Sequence, residues 1–239
     1  MNASCPYADW APGSVAFCEE RLCAWIVEPS NTVSSLAYLI VGAWMWRAME
    51  RPRDARLACI VVAQFVIGIG SVLFHGTGTL AGELVDQAGM FLLSCLLLVF
   101  AASNAWGWSA RTGAWTYGAA VAASAAVHAG MPRIGIPLFA AQLVAGIGWE
   151  LRLHRRARER GPYRHLFRAL AIFAVSFSFW ALDITGVVCR PDNHLVTGHA
   201  VWHVLNALSI FELYRFERAR LAQREAQDPL VGAPAVMRR

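Results

Sequence analysis

The stretch LACIVVAQFVIGIGSVLFH, residues 57–75, decides the fold class. From Leu57 to Phe74 it carries no charged side chain. An apolar run of about 18 or more residues is long enough to cross the roughly 30 Å hydrocarbon core of a bilayer as an α-helix. The stretch then ends on an ionisable residue, His75. Working outward from it, comparable apolar runs lie at about Thr32–Met45, Leu84–Ala102, Ala114–Ala129, Ile134–Trp149, Leu166–Val188 and Val196–Tyr214. The first begins just after Glu28 and Pro29, and proline suits the first turn of a helix because its missing N–H would be unpaired there. Seven runs predict an all-α integral membrane bundle of seven transmembrane helices.

Composition agrees. Hydrophobic residues make up 57% of the 239 residues and charged ones 15%, against roughly 45–50% and 25% in soluble globular domains. A soluble fold of this length has no core large enough for that much apolar surface, and the same numbers exclude disorder. The net charge is +5, with arginine as the only fixed basic side chain. No basic tract interleaved with aromatics stands in a soluble segment, so nucleic acid is not an expected partner, and no protein partner is predicted. The opening MNASCPYADW lacks the basic and apolar regions of a cleaved signal peptide, so the first apolar run is expected to act as its own insertion signal.

Arginines set the predicted orientation. Arg47, Arg51, Arg53 and Arg56 lie between the first two runs; Arg152, Arg155, Arg156, Arg158, Arg160 and Arg164 lie between the fifth and sixth; Arg215, Arg218 and Arg220 follow the seventh. The alternate loops hold only Arg133 and Arg190. The positive-inside rule then places the N-terminus outside and the C-terminus in the cytoplasm, which requires an odd number of spans. Residues 1–220 are expected to form one membrane domain and residues 221–239 a disordered cytoplasmic tail. Cys5, Cys18, Cys23 and Cys189 fall on the outer side, where disulfides can form, and spacing alone leaves their pairing open.

Ionisable residues inside the spans are the informative ones, because burial in a bilayer demands partners. His154 and His165 fall in the basic loop and read as solvated, His128 as interfacial and His194 as an outer-loop residue. His75 ends the second run, while His199 and His203 stand four apart in the seventh and so share a helix face. With the second helix running outward and the seventh inward, all three imidazoles reach the outer half of the membrane, as do Asp86 and Asp183. Three imidazoles at one depth suit a divalent metal. A hydrogen-bonded polar core and a haem site are the alternatives at this point.

Ser71-Val72-Leu73-Phe74-His75, Asp86 eleven residues later and His199-Ala200-Val201-Trp202-His203 together resemble the alkaline ceramidase family, part of a wider superfamily of seven-helix membrane hydrolases that includes the adiponectin-receptor-like proteins. Cys18-Glu19-Glu20-Arg21, Glu28-Pro29-Ser30-Asn31-Thr32 and Trp180-Ala181-Leu182-Asp183 with Cys189 are similar to its bacterial branch. The resemblance implies a zinc-dependent amidase that cleaves the N-acyl bond of ceramide or a related N-acyl lipid. It would sit in a bacterial inner membrane with its metal in the outer, periplasmic half. His75, His199 and His203 would be the zinc ligands, Asp86 the base that deprotonates the attacking water, and Ser71 a hydrogen-bond donor to the oxyanion. A disulfide would join Cys18 to Cys189. Eukaryotic members also bind calcium, but the aspartate and asparagine of that site are Ala16 and Arg21 here. Only Glu19 and Glu28 remain as calcium ligands, which counts against that ion; Arg21 pairing with Glu28 would put a fixed cation in its place. The small residues Gly118, Ala119, Ala120, Ala122, Ala123 and Gly146 are candidates for a lipid groove or for close helix packing. The same zinc site acting on another acylated bacterial lipid, or serving as structural metal in a seven-helix receptor or scaffold, are the competing functions.

Overall fold

The computed structural model describes residues 5–49, 54–156 and 161–227. Arg51, Arg53, Arg158 and Arg160, and the tail from residue 228, lie outside the described residues. The helices are α1 (Pro29–Ser34), α2 (Leu36–Ala48), α3 (Ala55–Thr77), α4 (Leu80–Trp106), α5 (Ala110–Gly130), α6 (Gly135–Arg156), α7 (Tyr163–Ile184) and α8 (Gly198–Gln227). No strand occurs among the described residues; an isolated bridge pairs Pro12 with Thr79. Local chemistry starts each helix. Asp54 accepts from the backbone of Arg56 and Leu57, Thr79 from Gly82 and Ser109 from Thr112, each satisfying N–H groups that the first helical turn leaves free.

Four of the helical segments are long and apolar enough to cross a membrane: Ala55–Thr77, Leu80–Trp106, Pro132–Arg155 and Tyr163–Ile184. The remaining helices, α1, α2, α5 and α8, differ for visible reasons. Helices α1 and α2 have 6 and 13 residues, each too short alone to span about 30 Å at 1.5 Å per residue, but they follow one another directly from Pro29 to Ala48. Helix α5 is built mainly of Ala and Gly with few large apolar side chains, and α8 carries His199 and His203 and then a charged second half. Helix α8 also runs on to Gln227, past the boundary expected at residue 220.

Helices α3 and α4 pack most extensively, followed by α7 with α8, and α8 also reaches α1, α2 and α3. The α3–α4 approach depends on glycine. A β-carbon on Gly70 would collide with the backbone of Val85 and Asp86, and one on Gly89 with the backbone of Ile67. The absence of side chains at these two positions lets the helix carrying Asp86 lie directly against the helix carrying Ser71 and His75. Below them, Tyr38, Met45, Ile60, Val61, Ile210 and Tyr214 belong to one buried apolar cluster that fixes α2, α3 and α8 to one another.

The N-terminal segment folds over the end of the bundle that carries the three histidines. It is tied by disulfides Cys5–Cys23 and Cys18–Cys189. The Cys18–Cys189 bond spans a sequence separation of 171, and removing such a cross-link from a folded domain costs about 2–5 kcal/mol. Cys18→Ser with Cys189→Ser is therefore expected to lower the unfolding midpoint in detergent more than the Cys5/Cys23 pair of substitutions, whose sequence separation is 18. Equal midpoints for the two double variants would contradict this ranking.

Three histidine expectations need correction. His165 is not solvated: it is 4% exposed and its Nδ1 lies 2.8 Å from a Glu212 carboxylate oxygen. His154 packs its ring against Tyr163 and Phe167. His128 is buried, its Nδ1 bonded to the Pro132 carbonyl. All three lie within helices, His128 in α5, His154 in α6 and His165 in the first turn of α7, so their rings face protein neighbours, which the sequence composition did not signal.

Candidate metal centre

His75 comes from the last turn of α3, and His199 and His203 from the first turns of α8. One donor nitrogen from each lies within 4.8 Å of the others, and the residues are 1%, 4% and 2% exposed. His75 Nε2 and His199 Nε2 face each other at 3.1 Å. The start of α8 is held firmly. Thr197 Oγ1 accepts from the Ala200 backbone N–H, and Asp183 Oδ2 accepts from the His199 backbone N–H at 2.9 Å. Asp183 Oδ1 accepts from Cys18 N, so one carboxylate fixes both the helix start and the disulfide-bonded strap.

Outer partners set the tautomers. His75 Nδ1 lies 2.6 Å from Glu28 Oε2, so its proton sits on that side and Nε2 keeps a free lone pair. Ser34 and Ser35 both donate their hydroxyl protons to the Asn31 carbonyl. Their oxygens therefore accept from His203 Nδ1, at 2.9 and 3.3 Å, again leaving Nε2 free. His199 Nδ1 has no hydrogen-bond partner. Its ring is positioned by stacking instead, with Phe17 of the strap 3.7 Å away between centroids. Neutral imidazoles with inward lone pairs are the donor set that a divalent cation of zinc type takes, and three of them leave a tetrahedral ion one open position. The residues fit such an ion.

Glu28 holds this arrangement from outside. Its Oε1 accepts from Arg21 Nε at 3.1 Å and its Oε2 from Asn31 Nδ2 as well as His75. Burial raises the Glu28 carboxyl, but the bond and charge of the His75 ring, then Asn31 and Arg21, bring it below its ordinary value. Glu19 does different work: its oxygens accept from the backbone N–H groups of Ser30 and Asn31 at the start of α1, and from His194. Both carboxylates named as calcium candidates are thus engaged by protein donors, and Arg21 stands beside Glu28.

Ser71 Oγ is 3.3 Å from His203 Nε2, and Asp86 stands across the α3–α4 contact from it. Both residues line a cavity of about 260 Å³ together with His199, His203 and Phe17. Ile67, Met90, Phe139, Leu143, Phe173 and Asn206 line this cavity and also a narrower chamber deeper in the bundle. The walls come from α3, α4, α6, α7 and α8, with α6 and α7 supplying Phe139, Leu143, Phe173, Phe177 and Trp180. The small residues of α5 do not contribute: Gly118, Ala119, Ala122 and Ala123 are exposed, and only Gly146 of the expected groove set lines the deeper chamber.

All five residues singled out in the sequence as ligands, base or oxyanion donor therefore meet at one place. The sequence reading missed Phe17, Ser34 and Ser35. The run Ser30-Asn31-Thr32-Val33-Ser34-Ser35 at the head of an apolar span was the available signal, since four hydroxyls and an amide there need a polar neighbour. No curated protein matches the chain significantly. The sequence model of the ceramidase family matches residues 12–230, nearly the whole of what surrounds this centre, and the chain belongs to the ceramidase family, hydrolases that act on amides.

Proposed function

We propose that the protein is an intramembrane zinc-dependent amidase that hydrolyses the N-acyl bond of ceramide or a related N-acyl lipid, releasing a fatty acid and a sphingoid base. The observation that carries this reading is the convergence of His75, His199 and His203 with their donor atoms within 4.8 Å of one another, at the wall of an apolar cavity. Zinc in such a donor set supplies Lewis acidity, making water nucleophilic near neutral pH and polarising a carbonyl.

The chain's own residues do the rest. The cavity and its deeper chamber take the hydrocarbon, so that the amide lies at the histidines while water is excluded from the chains. Asp86 accepts a proton from the attacking water as the carbon–oxygen bond forms. It returns that proton to the nitrogen as the carbon–nitrogen bond breaks, so the amine leaves neutral. Ser71, next to His203, donates its single hydroxyl proton to the oxygen on which negative charge develops. Glu28, Ser34 and Ser35 keep the histidine rings in register. Arg21 serves Glu28 as a fixed cation where a calcium ion would otherwise be needed.

We read the fold as seven membrane crossings in a bacterial inner membrane, N-terminus outside, with the centre in the periplasmic half. The arginine-bearing ends of the helices support this orientation, as does a strap closed by two disulfides at the opposite end. The test is a panel of N-acyl and O-acyl lipids offered to the purified protein before and after chelation. Ceramide turnover that chelation abolishes and zinc restores is expected. Turnover of O-acyl lipids alone would move the substrate to another acylated lipid, and no turnover with tightly held zinc would leave a receptor or scaffold.

A further inference from the structure

Glu83 and Gln87 stand four residues apart on α4, on one face of the helix, and both line the cavity that holds Asp86. Both are buried, at 4% and 5% exposure. Gln87 Nε2 has no hydrogen-bond partner. A buried amide with idle donors is unfavourable in the free protein, and native structures keep such groups where a ligand or another polar partner meets them. Glu83 accepts from the backbone N–H and hydroxyl of Ser14. A carboxylate has about four acceptor positions, so Glu83 retains capacity for another donor. One donor with no partner and one acceptor with spare capacity, side by side in an apolar cavity, match a group that both accepts and donates.

We propose that Gln87 and Glu83 form the recognition site for a lipid hydroxyl close to the scissile amide. Gln87 Nε2–H donates to the hydroxyl oxygen and the hydroxyl proton is donated to the Glu83 carboxylate. This deepens the amidase reading, and rests on it, by making the pair the determinant that separates hydroxylated lipids from plain N-acyl amines. The hydroxyl belongs either to the amine portion of the lipid or to carbon 2 of the acyl chain, and both present the same chemistry one or two bonds from the amide.

The experiment measures binding to the full-length protein in detergent by quenching of its tryptophan fluorescence. One pair of probes is a long-chain 2-amino-1,3-diol and octadecylamine; the other is a 2-hydroxy fatty acid and its unsubstituted counterpart. Wild type is expected to prefer the hydroxylated member of one pair about tenfold, the change that one well-made hydrogen bond gives. The pair that shows the preference identifies the source of the hydroxyl. Gln87→Met and Gln87→Leu, which both lack the donor, are each expected to erase that preference while leaving affinity for the unsubstituted probe unchanged. Without ligand, Gln87→Met should unfold at or above the wild-type midpoint, because it removes an unpartnered buried amide. No preference in either pair, a preference that survives both substitutions, or a lowered midpoint for Gln87→Met would each overturn the assignment. Failure of the amidase reading would appear separately, as wild-type protein that turns over no N-acyl lipid.

Discussion

Alanine at His203 is expected to strip the centre of its metal and to lower amide hydrolysis by at least about 10³-fold, since losing the Lewis acid removes both nucleophile activation and carbonyl polarisation. The substitution deletes one of three donors, and the two that remain, His75 and His199, cannot close a tetrahedral set. It also leaves Ser34 and Ser35 without their ring partner and Tyr38 without an edge contact, so the folded protein must be checked. Zinc content by elemental analysis, taken with turnover on the same preparation, decides the matter. Zinc bound one-to-one in a folded His203→Ala protein would remove this residue from the coordination set. Glu28→Gln is the graded companion. It keeps a hydrogen-bond acceptor beside His75 Nδ1 but loses the carboxylate charge that favours the inward lone pair, and changes of this kind cost about 10–100-fold in metal affinity.

Asp86→Asn is expected to keep the metal and lose about 10²–10⁴-fold in turnover, the range that a positioned proton-transfer group supplies. The side chain keeps its size, so the tight contact between α4 and Gly70 of α3 is undisturbed. Asp86 is not one of the converging donors, and the three histidines are oriented by Glu28, Ser34, Ser35 and Phe17 instead. Retained zinc with lost turnover separates a proton-transfer role from a ligand role. Turnover within about threefold of wild type would take Asp86 out of the mechanism.

The contrast between His203 and Asp86 shows what the sequence made readable. Helical spacing put His199 and His203 on one face, and alternating helix direction brought His75 to the same depth; neither inference needed coordinates. The Cys18–Cys189 pairing followed only from family resemblance, because spacing left the outer cysteines interchangeable. What stayed hidden depends on tertiary folding of polar segments. Nothing in the basic sequence around Arg164 announced that His165, in the first turn of α7, would turn inward to Glu212. The strap is a stronger instance: residues 5–27 contain little periodicity, yet Phe17 lies flat on His199 because a disulfide and Asp183 hold the neighbouring Cys18. The cavity wall was misassigned for a related reason. Small residues in α5 advertise close approach, but α5 packs at the periphery, mainly on α4, and bulky side chains of α6 and α7 line the space.

The dispersal of these parts along the polypeptide bears on biosynthesis. His75 leaves the ribosome long before His199 and His203, and the residue that stacks on His199, Phe17, emerges before any of them. Its anchor Cys18 waits for Cys189, some 171 residues later, to be translated and oxidised. A nascent chain therefore lacks the assembled histidine centre until the start of α8 has been made, and the strap over it closes only after Cys189 has been oxidised onto Cys18.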